Sequence, residues 1–414
     1  MRKKKKHKRR IDYFHLLICI AILGGCIFGV MKLKDFLFSK KNESNEIVTE
    51  LNENTDNIES STPSPSLETE QVVATTDPRE DKIQELMNKM TLEEKVGQLF
   101  IVRCPDSDEV LVLQQYKLGG YILFASDFEN ETTESIQAKI SSFQENSSIP
   151  MLIGVDEEGG TVTRISKYSQ YGHSKFQSPQ TLYNAGGLNT VVSDTRDKCT
   201  FLKNLGINVN FAPVADVSTD SNDFIYSRTL GTDASTTSEY IANVTKVMKE
   251  ENVGSVLKHF PGYGNNSDTH TGIAYDNRSL DSFYNNDFKP FEAGIDEGAN
   301  MILVSHNIVS CMDENTPASL SKNVHDILRN DLGFKGVIMT DDLIMKGITD
   351  YVDGASAAII AIQAGNDLLC CTDYETQVPA VIQAVQNGQI SEERIDESLY
   401  RILSMKIDLG LITY

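Results

Sequence analysis

Residues 151–156 read Met-Leu-Ile-Gly-Val-Asp, five apolar residues that stop on a carboxylate. A continuous apolar run of this length is too short for a helix and suits a strand buried on both faces of a parallel sheet. Similar runs occur at 98–102, 120–124, 207–211, 255–257, 301–304, 337–339 and 367–370. Between them lie stretches of helical length and spacing, among them 235–251 and 353–364. Strand and helix alternating through residues 81–414 predict an α/β fold, a (β/α)8 TIM-type barrel. The rival is a doubly wound sheet, which calls for a glycine-rich phosphate loop after the first strand; no such loop follows residues 98–102.

A barrel of this kind collects its active site at the C-terminal ends of its strands. The residues expected there are Asp156 after LIGV, Asp216 after NFAPVA, Lys258 and His259 after SVL, His306 after ILVS, and Asp341 with Asp342 after VIMT. One such carboxylate is ordinary, because it can cap the next helix. Ionisable residues at five strand ends point to a site. The segment KHFPGYG, 258–264, leads into a loop carrying Asp268-Thr-His270. A carboxylate two residues from an imidazole can hold one ring nitrogen and leave the other for proton transfer, making His270 an acid/base candidate oriented by Asp268. Taken alone, that pattern is weak evidence, and a solvated loop histidine is its more ordinary reading. Asp341 in MTDDL would point into the barrel mouth, and a carboxylate with a separate acid/base is what retaining glycoside hydrolysis requires. No HxH or HExxH pair is present to complete a zinc site, and a covalent mechanism of this kind needs neither metal nor nucleotide, so no cofactor is expected. Physical reading alone ends at a barrel enzyme acting on a polar or polyhydroxylated substrate.

Outside the barrel the sequence changes character. The chain has 414 residues, a net charge of -21 and a pI near 4.8, a balance that argues against a nucleic-acid partner. Eight of its 38 Lys and Arg lie in residues 1–10, so the remainder carries about -29. Residues 14–31, FHLLICIAILGGCIFGVM, follow that basic run and are flanked by Lys32 and Lys34. Residues 1–41 are therefore expected to be a cytoplasmic basic segment and a single-pass membrane anchor, with everything after Lys41 outside the cell. The competing reading is a lipoprotein attached at Cys26, within Leu23-Gly-Gly-Cys26. Residues 42–80 hold ten acidic residues against Arg79 alone and read as a disordered linker to a catalytic domain at 81–414. Cys104, Cys199, Cys311, Cys370 and Cys371 match no zinc spacing and are expected as small core residues.

Several stretches together resemble glycoside hydrolase family 3 enzymes of the β-N-acetylglucosaminidase type. They are Met90–Leu99 (MTLEEKVGQL), Val155-Asp-Glu-Glu-Gly-Gly160 with Arg164, Asn210–Val217 (NFAPVADV), Ser227-Arg228, KHFPGYG with its Asp-Thr-His loop, and TDDL. Arg394, Arg401-Ile-Leu and Leu409-Gly-Leu411 complete the pattern. The resemblance implies that Asp341 is the nucleophile of a covalent glycosyl-enzyme and that His270, paired with Asp268, is the acid/base. It implies a sugar pocket made by Asp156, Arg164, Arg228, Lys258 and His259. It also implies release of terminal β-linked N-acetylglucosamine from the non-reducing end of cell-wall fragments or other glycans. The family's β-glucosidases usually draw their acid/base from a second domain, and this sequence offers no further residues for one, which favours the glucosaminidase subgroup.

The chain departs from the family at Tyr263, where a second His is common, at Thr161, where Arg is common, and at Gly264-Asn-Asn266 in place of Gly-Asp-Thr. Two alternatives stay open. A phosphorylase would use the same site with phosphate as acceptor, since a His repels an anion less than a carboxylate would. A non-catalytic surface glycan-binding protein is weakened by the absence of Trp.

Overall fold

Eight short parallel strands form the sheet: β1 (Phe100–Arg103), β2 (Gly120–Leu123), β3 (Leu152–Val155), β4 (Val209–Asn210), β5 (Gly254–Phe260), β6 (Met301–Val304), β7 (Val337–Thr340) and β8 (Leu369–Cys371). This computed structural model describes residues 77–414. The expected membrane anchor and nearly all of the acidic linker lie outside the described residues. Among those described, no helix is long and apolar enough to cross a membrane.

Each strand pairs in parallel with the next in sequence, and β1 pairs with β8 in the register Phe100↔Leu369. Between β7 and β8 the contact narrows to one parallel bridge, Met339↔Leu368, so the ring is nearly closed rather than evenly laddered. All eight apolar runs overlap a strand. The strand residues are almost all buried, which is why the runs lack polar alternation. Phe211, just past β4, fills the space above β3: a Cβ on Gly154 would lie 2.4 Å from its ring, so only glycine permits that approach.

Helices on the outside return the chain from strand to strand, and their starts are written in the sequence. Asp233 caps Ala234–Glu250, Asp353 caps Gly354–Ala364, and Thr91 with Glu94 forms a capping box on Leu92–Gln98. The folded domain starts slightly earlier than residue 81. Asp77 accepts from the Arg79 main chain and Pro78 takes the first helical position, so Pro78–Lys89 is one helix. Arg79 pairs with Asp408 and Glu80 accepts from Tyr400, tying that helix to Glu392–Asp408.

The N-terminal end of the barrel is closed by buried ionic groups. Asp367, fully buried, faces Arg329, Arg401 and Arg394, and it also accepts from the Ile338 main chain and Ser398. Lys406 donates to Gln98 and to the Gly119 carbonyl. Cys104, Cys199, Cys370 and Cys371 are buried as expected, whereas Cys311 is exposed beyond the β6 loop.

Candidate active site

The C-terminal ends of the strands enclose a cavity of about 640 Å³. Its wall includes all eight residues that the family resemblance implied, Asp341, His270, Asp268, Asp156, Arg164, Arg228, Lys258 and His259, whereas the strand-end residues Asp216 and His306 do not line it. Lys258 and His259 are consecutive, yet both reach the cavity. Strand residues normally alternate sides, but the β5–β6 register breaks between Leu257 and Phe260 and re-aims the chain.

Lys258 is 3% exposed and bridges two carboxylates, Asp156 at 2.7 Å and Glu158 at 2.6 Å. Arg164 faces the other Asp156 oxygen at 3.3 Å. Arg228 directs Nε and Nη2 at the two Glu158 oxygens, 3.0 and 2.7 Å away. Much of the Arg228 fork is therefore committed to Glu158 rather than free for substrate, because a guanidinium this buried needs a counter-ion. Burial alone would raise the Asp156 and Glu158 carboxyls, but Lys258 with Arg164 or Arg228 outweighs it and holds both below the usual range. Among the described residues, the buried Arg164 Nε has no hydrogen-bond partner.

Asp216 sits beneath His259. One of its oxygens accepts the His259 main-chain N–H at 3.0 Å and faces Nδ1 at 2.7 Å, while the other accepts from Tyr263 N–H. Arg228 Nη2 lies 3.2 Å from His259 Nε2. A carboxylate on one ring nitrogen and a donor on the other assign the proton to Nδ1.

His270 and Asp268 meet as the spacing suggested. Nδ1 lies 2.7 Å from an Asp268 oxygen that also accepts the His270 main-chain N–H. The imidazole side chain is 61% exposed, which leaves Nε2 open to the cavity mouth.

Asp341 follows β7 and accepts from the Asp342 main-chain N–H at 2.8 Å. Its neighbour Asp342 has a different job. It accepts from the main chains of Ile344 and Thr372 and from the Thr372 hydroxyl, joining the β7 and β8 loops. Burial raises the Asp342 carboxyl, with Thr372 opposing that shift. His306, another strand-end residue, is fully buried between Ser319 and the Asp342 carbonyl, and burial lowers its pKa. It braces the loop and does not line the cavity.

The sequence reading assigned no role to Glu158, and it expected Asp216 only as a strand-end carboxylate. Their signals were the acidic cluster Asp156-Glu157-Glu158 and a carboxylate ending a strand, neither of which reveals its partner. Aromatic rings also contribute despite the absence of Trp: Phe124, Phe211 and Phe224 line the cavity, and Arg103 stacks over Phe124 at 4.8 Å. Thr161 is exposed and lies outside this wall. Among the described residues, no cluster of three or more His, Cys, Asp or Glu is arranged to hold a metal ion.

Comparison with known proteins places the chain among glycoside hydrolases. The chain is 31% identical over 327 residues to beta-hexosaminidase LpqI of Mycobacterium tuberculosis, covering 76% of this chain and 82% of that protein. It is 32% identical over 274 residues to a beta-hexosaminidase of Nitrosomonas eutropha, covering 63% of this chain and 75% of that one. Its fold is similar to a family 3 β-N-acetylglucosaminidase from Paenibacillus sp. (TM-score 0.73, 28% identity, covering 78% of this chain and 65% of that chain). The solved structure of M. tuberculosis LpqI is similar too, with a TM-score of 0.71 and 26% identity over 78% of this chain and 96% of that one. The glycosyl hydrolase family 3 N-terminal domain matches residues 91–405, and the chain belongs to that family.

Proposed function

We propose that this protein is a retaining exo-β-N-acetylglucosaminidase that removes terminal non-reducing N-acetylglucosamine from cell-wall fragments or other glycans. The observation that carries this reading is that Asp341 and the His270–Asp268 pair share one cavity with a sugar-sized set of fixed polar groups. The names of the family 3 relatives support the same substrate class.

In this reading the Asp341 carboxylate attacks the anomeric carbon as the glycosidic C–O bond breaks. His270 gives its Nε2 proton to the departing oxygen. A water then attacks the same carbon, passes its proton to His270 and frees the Asp341 carboxylate, so net configuration is retained. Asp268 holds the imidazole on Nδ1 throughout. Asp156, Lys258, His259 and the unpaired Arg164 Nε supply donors and acceptors for hydroxyls of the bound sugar. Because Asp156 and Lys258 already pair with each other, their geometry is set before substrate arrives, which lowers the ordering cost of binding.

The experiment is an assay of the full chain on p-nitrophenyl β-N-acetylglucosaminide and β-glucoside, with and without phosphate. Release from the N-acetylglucosaminide, independent of phosphate and abolished by Asp341→Ala, is expected. Sugar 1-phosphate as product would make the protein a phosphorylase. Full activity in Asp341→Ala would refute the assignment, and inactivity of the wild type on every glycoside would favour a binding protein. The composition of residues 1–80 supports a further part of the reading: single-pass attachment to the cell membrane with the barrel outside. Release of the protein from membranes by salt washing would overturn that attachment, and lipid labelling at Cys26 would favour the lipoprotein form.

A further inference from the structure

Within residues 265–273, the stretch bearing Asp268 and His270, one residue is buried. Thr269 is 0% exposed, although it lies between two residues whose side chains face the cavity or solvent. Two contacts hold it. Its hydroxyl shares a 2.6 Å hydrogen bond with the Tyr263 phenol, and its carbonyl accepts from the Gly347 main chain at 3.1 Å. Gly347 belongs to the segment after β7 that also carries Asp341, and a Cβ there would lie 3.0 Å from His306 and 3.4 Å from Thr269, so glycine at this position eases the close approach of the two loops.

Tyr263 is itself held on every side. It is 2% exposed, its main-chain N–H donates to Asp216, its ring meets His259 edge-on with centroids 5.1 Å apart, and Phe224 packs on it at 5.8 Å. Burial raises the phenol far above its ordinary pKa, with Asp341 adding to the shift, so it stays a neutral hydrogen-bonding group at working pH. A residue this confined cannot follow the loop. The loop follows it.

We propose that Tyr263 is a positioning residue for proton transfer: its hydroxyl pins the acid/base loop at Thr269 and so holds the His270–Asp268 pair at the leaving-group side of the cavity. The inference rests on the reading of His270 as acid/base. Its signature is selective, because only a leaving group that needs a proton should notice a displaced acid. For a retaining enzyme, kcat/KM reports formation of the covalent intermediate, the step in which that proton is given.

The test measures kcat/KM of the wild type, Tyr263→Phe and Thr269→Val in the full chain on two substrates. One is the β-1,4-linked N-acetylglucosamine disaccharide, whose sugar alkoxide cannot leave unprotonated. The other is the 2,4-dinitrophenyl N-acetylglucosaminide, whose phenolate leaves unaided. Each variant should lose roughly ten-fold to a hundred-fold on the disaccharide, about the cost of misplacing a catalytic group by an ångström. The loss on the dinitrophenyl substrate should be at least ten-fold smaller, and the double variant should lose no more than either single one. Equal losses on both substrates would assign Tyr263 to pocket shape or stability and overturn the inference. A Tyr263→Phe variant matching wild type on the disaccharide would do the same. If the wild type turns over neither substrate, the proposed function fails as well.

Discussion

Two buried charge clusters lie at opposite ends of this barrel. At the N-terminal end Asp367 is enclosed by Arg329, Arg394 and Arg401 and also accepts from Ile338 and Ser398. At the C-terminal end Lys258 bridges Asp156 and Glu158, Arg228 clasps Glu158, and all but Glu158 border an open cavity. The first cluster joins chain segments far apart in sequence, the entry to β8 and the last helix, and closes on itself. The second leaves groups facing empty volume. In the proposed reading, similar ion pairs serve stability at one end and substrate at the other, and the distinction lies in what the remaining valences face.

Substitutions can break that contrast. Asp341→Ala should lower kcat/KM by roughly 10⁴-fold or more while leaving the melting temperature near that of wild type, since the one hydrogen-bond partner of its side chain among the described residues is the adjacent main chain. His270→Ala should cost about 10²–10⁴-fold on a substrate with a poor leaving group. Because its side chain is largely exposed, unfolding by denaturant should barely change. Asp367→Ala should act in reverse. Three guanidiniums lose their shared carboxylate, and stability should fall by about 3–5 kcal/mol in urea titration, with kcat per folded molecule close to wild type. A loss of activity without a loss of stability in that variant would erase the distinction between the two ends.

The smallest effect sharpens the comparison through pH. Lys406, at the N-terminal end, has only neutral partners among the described residues, and burial pushes it down to about 7. Between about pH 7 and the ordinary lysine value, the unfolded chain holds a proton that the folded one lacks. Folding stability therefore rises with pH across that window and is lowest, and level, below it. The difference between wild type and Lys406→Met should change by on the order of 1 kcal/mol per pH unit there, measured as urea midpoints from pH 7 to 9.

Much of this was readable in the sequence, for a physical reason. Parallel strands buried on both faces leave uninterrupted apolar runs, so all eight were visible, and a barrel puts its chemistry at their C-terminal ends. Asp268 and His270 were legible because two residues of spacing suffice for their contact. Partners distant in sequence were not. Nothing in Asp156-Glu157-Glu158 tells that Glu157 turns back onto Arg164 and Ile165 main-chain groups while Glu158 meets Arg228 seventy residues later. His306 and Asp342 end strands just as Lys258 and Asp341 do, yet they brace loops. The start of the folded domain was placed at Asp81 because the acidic linker composition runs into a helix whose cap, Asp77, is itself acidic.

The central claim is that Asp341 becomes covalently attached to the sugar. A 5-fluoro-N-acetylglucosaminyl fluoride should slow release of that intermediate, and intact-protein mass spectrometry with peptide mapping can locate it. One sugar per chain, attached at Asp341 and absent from Asp341→Asn, is predicted. A sugar attached to any other residue, or undiminished turnover by Asp341→Asn, would contradict the account.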